Sequence, residues 1–179
     1  MKTLKRMGVG LATLIVIVLL GAALLPSNYQ VERSIKIQSP AEAITPKLSD
    51  FSWWKNFSPW APQDPAARYT VEGTPGKPGH AMSWDGEIVG AGRMTLLEVI
   101  PGTSIQSKIE FTRPITSVSK DTWNLEASES GATRVTWRSE GELAYPIGRL
   151  FGYFMLPQQL GADYEKGLSS LKDAIEAGL

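Results

Sequence analysis

QQLGADYEKGLSSLKDAIEAG, residues 158–178, decides the fold. Its apolar side chains Leu160, Tyr164, Leu168, Leu171 and Ile175 recur at steps of four, four, three and four. That spacing puts all five on one stripe of an α-helix. Asp163, Glu165, Lys166, Lys172, Asp173 and Glu176 take the other side. At about 1.5 Å per residue such a helix is roughly 30 Å long, the width of a small domain. A helix with one apolar stripe must lie on an apolar surface, and the preceding chain has to supply it.

The preceding chain reads as strands. Residues 29–37 (YQVERSIKI) alternate Val31, Arg33, Ile35 and Ile37 against polar neighbours. Residues 68–72 and 80–85 are short strands, separated by the turn-rich TPGKPG at 74–79. Asp85-Gly86 supplies turn chemistry before the next strand, 90–100, and Pro101-Gly102 turns after it. In residues 103–111, Ile105, Ser107, Ile109 and Phe111 face one way, and Gln106, Lys108 and Glu110 the other. Arg113-Pro114 ends that strand. Residues 117–128 place Trp123 and Leu125 on one face, with Ser130-Gly131 turning. Residues 133–142 place Val135 and Trp137 opposite Arg134, Thr136, Arg138 and Glu140. One apolar and one charged face per strand marks an antiparallel sheet with one wet side. Trp84, Trp123 and Trp137 are expected to point at the long helix.

Three helical segments complete the pattern. Ser39-Pro40-Ala41-Glu42 reads as a capping box with Pro at the first helical position, and Pro46 is expected to cut that helix short. Residues 50–60 (DFSWWKNFSPW) hold Phe51, Trp53, Trp54, Phe57 and Trp60, and Pro59, Pro62 and Pro65 then force a loop. Residues 147–155 are a helical turn or two, and Pro157 restarts the path into the final helix.

At the other end, MGVGLATLIVIVLLGAALL runs uncharged from Met7 to Leu25, and eleven of its 19 residues are Leu, Ile or Val. At about 1.5 Å per residue it reaches about 28 Å, close to the ~30 Å hydrocarbon thickness. Lys2, Lys5 and Arg6 precede it and are expected to stay cytoplasmic. A cleaved signal peptide would have a shorter apolar core of about 7–15 residues and a small-residue cleavage site. Leu24-Leu25-Pro26 is a poor context for cleavage, so an uncleaved anchor is favoured over a signal peptide, and both over a cytosolic domain. The expected organisation is a cytoplasmic tip and single transmembrane anchor over residues 1–26. One extracytoplasmic domain follows over 27–179, on the periplasmic side of the inner membrane in a Gram-negative cell.

Composition excludes several functions. Beyond the first 26 residues there are 15 basic and 18 acidic residues, a net of −3, which is no footprint for nucleic acid. The absence of Cys removes disulfides, thiol catalysis and thiolate metal sites. Oligomeric state is not legible.

The ordered elements resemble the START-like helix-grip fold of the SRPBCC superfamily, with its polyketide cyclase/dehydrase and lipid-transport-type members. The residues carrying the resemblance are Val31-x-Arg33-Ser34-Ile35-x-Ile37-x-Ser39-Pro40-Ala41-Glu42, then Asp50-Phe51-x-x-Trp54-x-x-Phe57-Ser58-Pro59-Trp60 with Asp64-Pro65. Trp84-x-Gly86, Gly90-x-Gly92-x-Met94 and Phe111-x-x-Pro114 follow, and Thr133-x-Val135-Thr136-Trp137 and Gly167-Leu168-x-x-Leu171-Lys172 complete it. Ile44-Thr45-Pro46 departs from the pattern, which usually continues the helix with an aromatic residue there. The resemblance implies an α+β fold, a curved antiparallel sheet gripping the C-terminal helix around an internal cavity. It implies an apolar small molecule or lipid as partner; no cofactor is expected. It transfers no catalytic residue, because no catalytic motif spans the superfamily.

On that basis a non-catalytic cavity is expected to be lined from the sheet by Met82, Trp84, Met94, Ile105, Ile109, Phe111, Trp123, Leu125, Val135 and Trp137. Phe154, Leu160, Tyr164 and Leu168 would line it from the helical side. Trp53, Trp54, Phe57 and Trp60 are candidates for an entrance, a membrane-interface patch or plain core. Alternatives are a cyclase- or dehydratase-type enzyme, which needs a buried acid, and a filled structural or sensing domain. Glu98 is the acid best placed for acid/base work, since Met94, Leu96 and Ile100 share its face. Most of the carboxylates Asp85, Glu87, Glu98, Glu110 and Asp121 are expected to be solvated or paired with Arg93, Lys108, Arg113 or Arg138, with one facing inward. His80, a lone histidine beside Gly79, is expected to be exposed or at an edge, and no metal set accompanies it. Gly90-Ala-Gly92 lacks the Lys-Ser/Thr ending of a phosphate loop and reads as a bulged hairpin.

Overall fold

The structure is a computed structural model that describes residues 2–129 and 131–178, with side chains from residue 6 onward. Ser130 of the Ser130-Gly131 turn, and the side chains of Lys2 and Lys5, lie outside the described residues. Seven strands form one antiparallel sheet: β1 Asn28–Ile37, β2 Arg68–Glu72, β3 Ala81–Asp85, β4 Ala91–Ile100, β5 Ser104–Arg113, β6 Ser117–Ala127 and β7 Thr133–Glu142. Their spatial order is β1-β7-β6-β5-β4-β3-β2. The last six are a meander of neighbouring hairpins, and β1 pairs with β7 at the far edge. The helices are α1 Lys2–Leu24, α2 Ala41–Ser49, α3 Ile147–Phe154 and α4 Leu156–Glu176. This is the α+β helix-grip architecture: a curved sheet wrapped on the C-terminal helix.

Helix α4 lies on the sheet along β1. Tyr164, Leu168 and Leu171 of its stripe are fully buried, while Leu160 and Ile175 at its ends are half-buried. Small residues let the helix approach closely. A Cβ on Gly167 would stand 2.9 Å from the Trp137 ring and 3.1 Å from Pro59. Polar ties pin both ends of the contact: Arg33 Nε donates to Glu165 at 2.7 Å, and the backbone N–H of Gln38 donates to Glu176 Oε1 at 2.8 Å. Pro157 occupies the first turn of α4, where its missing N–H costs nothing.

Helix α2 continues through Pro46 to Ser49, contrary to the expectation that Pro46 ends it. The proline and Glu42, whose carbonyl loses its partner, are both exposed, so water can serve that carbonyl. The Ser39 capping box is also absent. Pro40 takes the N-cap position and no side chain caps it.

A bulge in β4 redirects its second half. Leu96 pairs with Ser107 but Glu98 pairs with Gln106, which leaves Leu97 as an extra residue. Because side chains alternate with period two, one inserted residue exchanges the faces. Val99 turns inward opposite the buried Ile105, and Glu98 and Ile100 turn to solvent.

Of the described helices, α1 is long and apolar enough to cross a membrane, over Arg6–Leu24, and a signal sequence has the same character.

Candidate functional site

Cross-strand registers divide the inner face of the sheet into rows. One row runs Arg33, Trp137, Trp123, Ile105 and Val99 across β1, β7, β6, β5 and β4. Trp137 and Trp123 stack at 4.3 Å between ring centroids, and both are buried in the core. The next row is Val31, Ser139, Asp121, Ser107 and Leu96. Beyond it lie Tyr29, Gly141, Ser119, Ile109, Met94 and Met82. Serines and a glycine replace tryptophans in these rows, so volume is missing above the packed core. A Cβ on Gly141 would stand 2.9 Å from the Tyr29 ring, so only glycine leaves Tyr29 its place.

The missing volume is an open cavity of about 1700 Å³. Met82, Trp84, Met94, Ile109 and Phe111 line it from the sheet, and Leu160 and Tyr164 from α4. Trp54, Trp60 and Tyr69 close one side, and Arg149, Phe151 and Leu156 another. A drug-sized ligand occupies about 300–1,000 Å³ of mostly apolar cleft with a few polar groups. This cavity has that character at a larger size.

Several residues expected at the cavity belong elsewhere. Ile105, Trp123, Leu125, Val135 and Trp137 of the sheet and Leu168 of α4 are core residues and do not line it. Phe154 is 61% exposed on the outer side of α3. In the aromatic segment, Phe57 is buried in the core and Trp53 packs against it, whereas Trp54 and Trp60 reach the cavity. The Trp60 indole donates to Asp163 at 3.1 Å, tying this segment to α4. Glu98 is exposed beside Gln106 and contributes nothing to the cavity, because the bulge turns it out.

The buried acid at the cavity is Asp121. It, and not Glu98, is the inward-facing carboxylate of the sheet: it is 2% exposed and lines the cavity. The Trp137 indole Nε1 donates to its Oδ2 at 2.9 Å, and Oδ1 has no hydrogen-bond partner among the described residues. Burial pushes the Asp121 carboxyl up from its ordinary 3.8 to about 6, against the opposing pull of the Ser139 hydroxyl, the Trp137 indole and the Tyr164 hydroxyl. Burial, and then the nearby Asp121 charge, holds the Tyr164 hydroxyl well above its usual range. Tyr29 is also raised, first by burial, with the Ser139 and Ser119 hydroxyls pulling the other way. Asp121, Ser139, Ser119, Tyr29 and Tyr164 thus form a polar floor beneath an apolar cavity. A carboxyl that changes state near pH 6 can accept or donate a hydrogen bond, and can move a proton. Of this floor only Tyr164 was expected at the cavity; the rest was missed, although Ser119 and Asp121 alternate in step with Trp123 and Leu125.

His80 is buried rather than exposed. Its Nε2 accepts from the Phe51 backbone N–H at 3.0 Å, and its Nδ1 lies 2.9 Å from the Glu72 carbonyl, to which it donates. Its ring stacks on Phe51. Both nitrogens are engaged in holding the aromatic segment to the sheet, outside the cavity. Among the described residues no group of three or more His, Asp or Glu gathers as a metal site.

The family model for polyketide cyclase / dehydrase and lipid transport matches residues 29–176. Among solved structures, the protein CV1439 from Chromobacterium violaceum is similar at 17% identity and a TM-score of 0.59, covering 85% of this chain and 99% of that one. The Aha1 dimer from Colwellia psychrerythraea is similar at 18% identity and a TM-score of 0.59, covering 84% of this chain and 98% of that one. The di-domain ARO/CYC StfQ from the steffimycin biosynthetic pathway is similar at 15% identity and a TM-score of 0.62, covering 86% of this chain and 53% of that one. At these identities the likeness is one of fold. Among curated proteins no sequence match is found.

Proposed function

The chain belongs to the polyketide cyclase / dehydrase and lipid transport family, and from that premise we propose that it is a membrane-anchored binding protein for an apolar small molecule or lipid carrying one polar group. The observation supporting this most directly is the large apolar cavity with a polar floor at Asp121, Ser139 and Tyr164. Its walls match a hydrocarbon body, and its floor matches a hydroxyl or carboxyl end. Residues 1–26 serve as the anchor, with the basic tip on the cytoplasmic side and residues 27–179 as the binding domain on the other. Native mass spectrometry of the full chain, extracted without detergent, tests the binding function. A stoichiometric apolar adduct is expected. An empty protein that also fails to take up a fluorescent fatty acid overturns it.

One observation favours a second activity on the same ligand: the carboxyl of Asp121 is poised near neutrality inside the cavity. That is the requirement for general acid/base work in a cyclisation or dehydration. Under this reading Asp121→Asn keeps ligand uptake and abolishes turnover. If Asp121→Asn leaves turnover of a bound polyketide-like compound unchanged, Asp121 has no catalytic part.

A further inference from the structure

Helix α3 is turned the wrong way for a helix covered by water. Its inner side carries Gly148 and Gly152, and a Cβ at Gly152 would collide with the Leu143 side chain. Its outer side carries Ile147, Phe151 and Phe154, which are 74%, 43% and 61% exposed. Tyr145, Tyr153 and Met155 are exposed around them. Residues 143–162 contain a single charge, Arg149. An exposed apolar patch of this kind is a contact surface.

The patch adjoins the end of α1. The Tyr145 hydroxyl donates to the Leu19 carbonyl at 3.0 Å, and Arg149 donates to the Ala23 carbonyl at 3.4 Å. Leu19 stands about 7–8 Å along the helix axis from Leu24, at 1.5 Å per residue. Amphipathic interfacial helices sink about 5–10 Å into the headgroup and acyl boundary. The bond to Leu19 therefore holds the patch at interfacial depth when α1 spans a bilayer. Helices α1 and α3 are in contact, and both carry exposed apolar side chains. Tyr145 and Tyr153 suit that boundary, having an apolar body and a polar tip. Helix α3 also contributes Gly148, Arg149 and Phe151 to the cavity wall, so Phe151 stands where the exposed patch meets the cavity.

We propose that α3 is an interfacial helix whose face of Ile147, Phe151 and Phe154 is sunk in the phospholipid leaflet beside the end of α1, so that the cavity exchanges its ligand with the bilayer across this helix. This rests on α1 acting as an uncleaved membrane span. It narrows the ligand class to molecules that reside in a phospholipid leaflet.

The chain has no cysteine, so the full-length protein accepts single labelled cysteines cleanly. It is reconstituted in phosphatidylcholine–phosphatidylglycerol vesicles that contain lipids with a nitroxide on the acyl chain. Environment-sensitive fluorophores are placed in Leu14→Cys, Ile147→Cys, Phe154→Cys and Glu126→Cys, the last near the opposite end of the sheet. Labels at Leu14, Ile147 and Phe154 are expected to lose most of their emission, and the label at Glu126 to keep it. Quenching at Leu14 without quenching at Ile147 and Phe154 overturns the interfacial helix and leaves the anchor standing. That includes the case in which both α3 labels are shielded by a protein partner or a second copy. No quenching at Leu14 overturns the anchor itself, and the inference with it.

Discussion

The Tyr164 ring lies face to face on the Trp137 indole, with centroids 3.9 Å apart and planes 7° from parallel. The same indole donates to Asp121 and stacks on Trp123. Helix, sheet and polar floor therefore meet in one stack, and each member can be tested by removing one property.

Tyr164→Phe keeps the ring and deletes the hydroxyl. It is expected to change the uptake of a fluorescent fatty acid while leaving thermal unfolding nearly unmoved. Unaltered uptake would confine Tyr164 to the core. Leu171→Ala empties a fully buried site on the same stripe, and is expected to cost about 2–5 kcal/mol with uptake preserved per folded molecule.

Asp121 makes stability depend on pH. Its folded carboxyl titrates near 6 against an ordinary 3.8, so the folded state holds the proton more tightly than the unfolded state. The stability from this group is complete below about pH 4 and is lost as pH rises through about 6, a total of about 3 kcal/mol. In Asp121→Asn this loss is expected to vanish. Melting curves of both proteins between pH 4 and 7.5 should diverge in favour of the variant as pH rises, by about 2–4 °C for each kcal/mol. Parallel curves would mean that the carboxyl is not held in its neutral form.

Ile109 sits in the cavity row between Met94 and Ser119. Ile109→Trp is expected to fill the hollow, abolishing ligand uptake without lowering the melting temperature. A variant that still binds at wild-type affinity would move the ligand away from this face.

His80→Ala removes both partners of a buried bridge. The Phe51 N–H and the Glu72 carbonyl are left without their present partner, at a cost of about 1–3 kcal/mol for each group that stays buried. Denaturant unfolding should show this loss, and ligand uptake of the folded fraction should match wild type. Glu98→Gln, on the solvent side of the bulge, is expected to change neither stability by more than about 0.5 kcal/mol nor uptake.

The helix-grip architecture was legible because its signals are periodic. The stripe of α4 repeats from Leu160 to Ile175, the alternation in β5 and β7 recurs along each strand, and turn residues separate them. The cavity was legible only in part, because it depends on volumes in cross-strand rows. Trp123 and Ile109 alternate inward alike, yet one sits in a filled row and the other faces a hollow. Register between distant strands, such as Gly141 beside both Tyr29 and Ser119, is what separates them. Glu98 was misplaced for a related reason, since a single extra residue at Leu97 inverts every later position of β4. Asp121 shares its alternation with Trp123 and Leu125, yet the apolar neighbours of Glu98 made Glu98 the preferred inward-facing acid. His80 needed the fold, since its partners Phe51 and Glu72 lie 29 and eight residues away.

Only Leu25, Pro26 and Ser27 separate the end of α1 from the start of β1. Three extended residues reach about 10 Å. With α1 in the bilayer, the domain on such a leash is confined to a shallow layer above the membrane and meets hydrophobic ligands by diffusion in a plane. Confinement replaces bulk concentration with a high local one, so that a modest intrinsic affinity suffices for full occupancy. A soluble version cut at this link would need far more ligand to fill, with every contact in its cavity unchanged.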